Sequence, residues 1–158
     1  MPVKTIELGP TGMTVADNIR RFREARRLGY AELSRGLSDL GREIPPLGLR
    51  RIEAGVRRVD TDDLVTIALA LNVSPLALLL PAADGPIAPK DGRILCDQIW
   101  RWGRGLEALP DSPDPVQFVR DSNPMVTELG SQLAEVATSL AGHGQLGART
   151  TPASFKAD

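Results

Sequence analysis

Cysteine and histidine are almost absent from this chain, with Cys96 and His143 the single examples of each. One thiol excludes an intrachain disulfide and a cysteine-rich zinc site. One imidazole excludes a multi-histidine metal centre, and its place in a glycine-rich tail speaks against a histidine-based triad. There is no phosphate-binding Gly-x-x-x-x-Gly-Lys loop either, so the chain reads as a non-enzymatic protein without a cofactor. Aromatic residues make up only 4% of it while 42% is hydrophobic, so a core must come from Leu, Ile, Val and Ala. Such a composition favours helices. No apolar run approaches the roughly 18 residues that span a bilayer. The opening stretch from Met1 to Glu7 lacks the apolar segment of an ordinary signal peptide. No membrane association and a cytoplasmic location are therefore expected. No internal repeat is found.

What the chain has in excess is arginine, and in one place. The formal net charge is −1, yet the stretch from Arg20 to Arg58 holds eleven arginines against five acidic residues, a local surplus of +6. From Pro81 onward seven basic residues face ten acidic ones, a balance of −3. A guanidinium fork matches two phosphate oxygens at once, so the surplus suits a polyanionic partner. A solvated helix face would carry the same composition.

Helical periodicity organises the first half. Thr14, with Asp17 three residues on, reads as a capping-box-like start, followed inward by Val15, Ile19, Phe22 and Ala25 or Arg26. Residues 1–13 are then an N-terminal arm: a short strand, a segment reaching along a partner, or a loosely ordered terminus. Gly29 interrupts, and Tyr30 to Leu40 forms a second helix with Leu33, Leu37 and Leu40 on one side, ended by Gly41. Pro45-Pro46 cannot sit inside a helix but fits a first turn, so a third runs from Pro46 to Ala54, with Leu49 and Ile52 inward and Gly55 as the stop. Asp60 or Thr61 caps a fourth helix that is apolar nearly all round, which marks it as the most buried. Asn72 reads as a left-handed stop, and Ser74-Pro75 opens a short fifth helix that Pro81 ends.

This order of five helices, with Phe22-Arg23-Glu24 in the first and Arg51-Ile52-Glu53-Ala54-Gly55 closing the third, resembles the lambda-repressor-like (XRE-family) helix-turn-helix regulators, in the variety common in actinobacteria. The resemblance covers 14–81 and implies an all-α fold: a five-helix lambda-repressor-like DNA-binding domain with a helical C-terminal extension. It implies double-stranded DNA as the partner and a sequence-specific transcriptional regulator, a repressor, reading the major groove with helix 3. By the same resemblance Arg23 and Glu53 form a structural ion pair, since a lone buried carboxylate is costly. Pro46, Leu47, Gly48 and Arg51 face bases, with Arg51 suited to guanine O6 and N7. Tyr30, Arg50, Arg57 and Arg58 face phosphates, which set register while bases set sequence. The chain departs from the shortest family pattern by carrying roughly one extra helical turn between Leu33 and Glu53, and Pro45-Pro46 replaces the usual polar start of helix 3.

Beyond 81 the reading is coarser. Residues 82–92 are rich in Pro and Gly and read as a linker, 93–142 as a helical extension for dimerisation or partner binding, and 143–158 as a disordered tail. Within the extension, Ile94 to Leu106 suggests one helix and Asp111 to Pro115 a break. Met125, Leu129, Leu133, Val136 and Leu140 form an amphipathic stripe. Trp100 and that stripe are the candidate dimer or partner contacts, the alternative for each being packing within the chain. A homodimer is expected, because a two-fold protein matches a palindrome. The competing reading is a protein-interaction module, an antitoxin or adaptor, whose C-terminal helices bind a protein partner.

Overall fold

The computed structural model describes residues 7–83, 94–125, 128–132 and 135. Its fold is all-α, and the chain divides into two compact units, Met1–Gly103 and Arg104–Asp158. The first unit holds α1 (Pro10–Ala25), α2 (Tyr30–Asp39), α3 (Pro46–Glu53), α4 (Thr61–Ala70), α5 (Pro75–Leu79) and α6 (Cys96–Gly103). Helix α1 lies against α5 and α3, α2 against α3 and α4, and α4 against α5. Their shared core is aliphatic: Val15, Ile19, Leu33, Leu37, Ile44, Leu49, Ile52, Ile67, Leu71 and Leu78 are buried.

Most boundaries follow the local chemistry read from the sequence. Asp60 caps α4 by accepting from the Asp63 amide at 2.7 Å, and Ser74 caps α5 by accepting from the Ala77 amide at 3.2 Å. Asn72 is left-handed, at φ 48°. Helix α1 departs from expectation, beginning at Pro10 rather than Thr14, with Gly9 as its N-cap. Proline has no amide hydrogen to lose and its φ is preset for a first turn, so the helix takes in four more residues. The turn between α1 and α2 is made by Arg27, at φ 54°, rather than by Gly29. Gly29 instead caps α2, donating its amide to Glu32 Oε2 at 2.7 Å.

Helix α4 is not buried all round. It turns Ile67, Ala68 and Asp63 inward, while Val65 is 43% and Leu69 62% exposed. Leu40, expected beside Leu33 and Leu37, is also exposed, because it is the C-cap of α2 and leaves the helical stripe. Asn18, buried on α1, donates to the carbonyls of Leu78 and Leu80 at 3.0 and 2.9 Å and so ties α1 to the end of α5.

Helix α6, which the sequence placed in the extension, clusters with the first unit. Ile99 is buried, and the Trp100 indole donates to the Pro81 carbonyl at 3.1 Å. Trp100 is thus half-buried with a partner in its own chain. The second unit contains α7 (Pro115–Ser122), a helix not singled out within the extension, which begins at the last residue of the break read at Asp111 to Pro115. The signal was present: Asp114 accepts from the Gln117 amide at 2.9 Å and Pro115 fills the first turn. Met125 and Leu129 are 77% and 58% exposed. Leu133, Val136 and Leu140 lie outside the described residues.

Candidate nucleic-acid interface

Helix α3 is held at both ends by buried carboxylates. At its C-terminal end Glu53 accepts a two-point contact from Arg23 of α1, Nε to Oε1 at 2.7 Å and Nη2 to Oε2 at 2.9 Å. Both groups are buried, so the fork geometry and the extra hydrogen bonds decide whether the pair offsets its desolvation. Two neighbours supply more. Tyr30 donates its hydroxyl to Glu53 Oε2 at 2.8 Å, and Arg20 donates to the Glu53 backbone carbonyl. The hydrogen bond to Glu53 holds the Arg23 guanidinium above its ordinary pKa, against burial, which acts the other way. Burial first, then Glu53, pushes the Tyr30 hydroxyl up.

These contacts correct the expectation for Tyr30. Its hydroxyl does not face outward to a phosphate but closes the Glu53 site, while its ring carries Arg23 at 4.2 Å and Arg50 at 5.1 Å from the centroid.

The second carboxylate is Asp63, 1% exposed at the start of α4. Arg42, from the loop between α2 and α3, donates Nε to Asp63 Oδ1 at 2.6 Å and Nη2 to Asp60 Oδ2 at 2.8 Å. Arg57, from the loop after α3, donates Nη2 to Asp63 Oδ2 at 2.9 Å. The two loops flanking α3 are therefore pinned to one acid. Asp60 lies below its usual carboxylate range, first because the Asp63 amide hydrogen-bonds it and then through the charge of Arg42. Arg57 is thus an internal ion-pair partner rather than a free phosphate clamp.

Gly48 is corrected by the same arrangement. It is buried, not turned toward a ligand, and a Cβ there would stand 2.8 Å from Arg57 Nη1 and 3.2 Å from Ile44 Cγ2. The end of the Arg57 side chain thus lies against α3 at that point.

With both ends fixed, α3 turns Pro46, Leu47, Arg50 and Arg51 to solvent. Leu47 is 57% exposed. Among the described residues neither Arg50 nor Arg51 is ion-paired to a carboxylate. Arg58 is exposed in the following loop and donates to the Glu7 carbonyl at 3.2 Å. The face thus combines two exposed guanidiniums that have no carboxylate partner among the described residues, Arg50 resting on the Tyr30 ring, with a small apolar edge, a set able to meet an anionic backbone and the apolar groups beside it.

Arg20, Arg42 and Asp63 are the residues that sequence reasoning missed. By charge alone Arg42 belongs to the phosphate-binding surplus, and by position Asp63 belongs to a helix start. The available signal was the acid three residues after the cap Asp60, one turn deep on a helix whose neighbours at Ile67 and Ala68 are apolar. Among the described residues no cluster of acids, histidines and cysteines could hold a metal ion, and no helix is long and apolar enough to cross a membrane.

No family model and no curated protein matches the chain. Among solved structures, the hypothetical transcription factor NHTF from Neisseria is similar over 52% of this chain and 88% of its own, at 22% identity and a TM-score of 0.42. The structure of FeII HppE in complex with a substrate is similar over 50% of this chain and 42% of its own, at 26% identity and a TM-score of 0.38. At such TM-scores neither likeness assigns a function, so the assignment has to come from the side chains.

Proposed function

We propose that this chain is a cytoplasmic, sequence-specific regulator of transcription, of the lambda-repressor-like helix-turn-helix kind, that seats α3 in the major groove of double-stranded DNA and acts as a repressor. The observation that carries the reading is the outward face of α3. Two guanidiniums, Arg50 and Arg51, stand there without a carboxylate partner among the described residues, on a helix pinned at both ends by Glu53 and Asp63. Arg51 grips a guanine edge through O6 and N7. Leu47 and Pro46 meet thymine methyl groups. Arg50, steered by the Tyr30 ring, and Arg58 take phosphates, which fix register without reading sequence.

Two copies are proposed to bind together, with their recognition helices about 34 Å apart on successive turns of a palindrome. The exposed Met125 and Leu129 are the proposed dimer contact. They also favour a second reading, in which the C-terminal helices bind a protein partner and the chain serves as an antitoxin or adaptor.

Selection of bound sequences from a pool of random duplexes tests the proposal. It predicts enrichment of a short motif repeated as an inverted pair. A pool that stays random after repeated rounds at low ionic strength rejects sequence-specific binding.

A further inference from the structure

Beside the first turn of α1 lies a cavity of about 330 Å³, walled by that turn, the loop after α3 and the start of α4. This is the lower end of the range for small-molecule sites, about 300 to 1,000 Å³. Leu8, Val15, Ile52 and Leu64 make its lining largely apolar. Of the lining residues, Val15 and Ile52 are buried, while Arg58 is exposed.

The charges around the cavity are unequal in their commitments. Asp60 lines it, but its carboxylate already holds Arg42 at 2.8 Å and the Asp63 amide at 2.7 Å. Arg57 also lines it and is engaged by Asp63 at 2.9 Å. Arg58 meets only a backbone carbonyl, that of Glu7 at 3.2 Å, with no carboxylate partner among the described residues. An incoming anion therefore finds, among the described residues, Arg58 as a cation held by no carboxylate beside a largely apolar pocket.

We infer that this cavity binds a small carboxylate with a saturated apolar tail, its head group on Arg58 and its tail against Leu8, Val15 and Leu64. Ile52 and Arg57 connect the chamber to the end of α3, so occupancy changes the affinity of the chain for duplex DNA. That second part rests on the proposed DNA reading; the binding itself does not.

The test uses the full chain without DNA, with octanoate and 1-octanol as probes, by titration calorimetry and backbone-amide NMR. Octanoate is expected to bind once per chain, and 1-octanol at least about tenfold more weakly, because it cannot form the charged hydrogen bond. Arg58→Gln is expected to bring octanoate down to the level of 1-octanol, and Arg35→Gln, on α2, to leave it unchanged. Amide shifts should centre on Gly9, Gly12 and Val59. Equal affinity for the two probes, no binding, or shifts centred elsewhere would overturn the assignment. Duplex titrations with and without octanoate then read the coupling. An unchanged duplex affinity with octanoate bound removes the regulatory part. A chain that binds octanoate but no duplex overturns the DNA reading and leaves the carboxylate site standing.

Discussion

Removing the Glu53 side chain leaves the Arg23 guanidinium, 8% exposed, without its buried partner and with only the exposed Glu24 carboxylate, 3.4 Å from Nη2. Breaking a buried pair from one side costs about 3–5 kcal/mol, more than the intact pair contributes, because the remaining charge stays desolvated. Glu53→Ala should therefore lower the urea midpoint of the free protein strongly, and a midpoint equal to that of the parent chain would show that the pair does not support α3. Tyr30 reports on the same site. It is the single tyrosine, so its ionisation is read directly by absorbance. Burial and the bond to Glu53 raise its pKa in the folded state, so the folded chain keeps a proton that the unfolded chain has lost. Stability is then complete below the ordinary tyrosine value of about 10 and falls as pH rises through the folded value. Tyr30→Phe should abolish that alkaline loss, checked by melting temperature against pH; an equal loss in both proteins would place its cause elsewhere. The pairing of Arg23 with Glu53 was expected from the family resemblance of the segments around them, with the cost of a lone buried carboxylate as its physical support. The Tyr30 hydroxyl was not, since a side chain at a helix start reads outward until the neighbouring helix is placed.

Between α2 and α4 the decisive contact joins elements rather than neighbours in sequence. Arg42 and Arg57 meet on Asp63 from loops on either side of α3, a convergence that no local periodicity encodes. Local signals found the five helices, the Asp60 and Ser74 caps and the left-handed Asn72, because caps and turn residues act within a few positions. The roles that the family resemblance implied departed where tertiary contact engaged a charge, as at Arg57, or buried a glycine beneath another side chain, as at Gly48. Two consequences belong here. Arg57→Ala leaves Asp63 with Arg42 alone and should cost about 1–3 kcal/mol in thermal or urea unfolding without DNA; an unaltered stability would return Arg57 to the role of a simple phosphate contact. In Gly48→Ala the gain of about 0.5–1 kcal/mol from replacing glycine in a helix opposes loss of the Arg57 contact, because the new Cβ stands 2.8 Å from Nη1. Losing that contact outweighs the gain, so a net destabilisation of about 1 kcal/mol is expected. A stabilised variant would show that Arg57 moves aside freely.

For the whole chain, an acidic total conceals an arginine-rich half, and the structure sorts that surplus into two uses. Arg23, Arg42 and Arg57 are committed to internal carboxylates, while Arg50 and Arg51 stay on the outer face of α3. The charge count alone could not separate these groups, because each looks the same until burial is known. In the second unit the exposed Met125 and Leu129 predict self-association, measured as mass by light scattering across concentration; a monomer throughout would remove the dimer. The proposed function stands or falls on whether the exposed arginines of α3 touch duplex DNA. Anisotropy of a labelled random-sequence duplex decides this, titrated at low ionic strength with the parent chain and with an Arg50→Ala, Arg51→Ala double variant. Both substitutions are on exposed positions, so the variant should melt with the parent. The parent is expected to bind and added salt to weaken it, while the double variant binds at least about tenfold more weakly with a shallower salt dependence. Equal binding by the two proteins, or no binding by the parent, would refute DNA contact through α3.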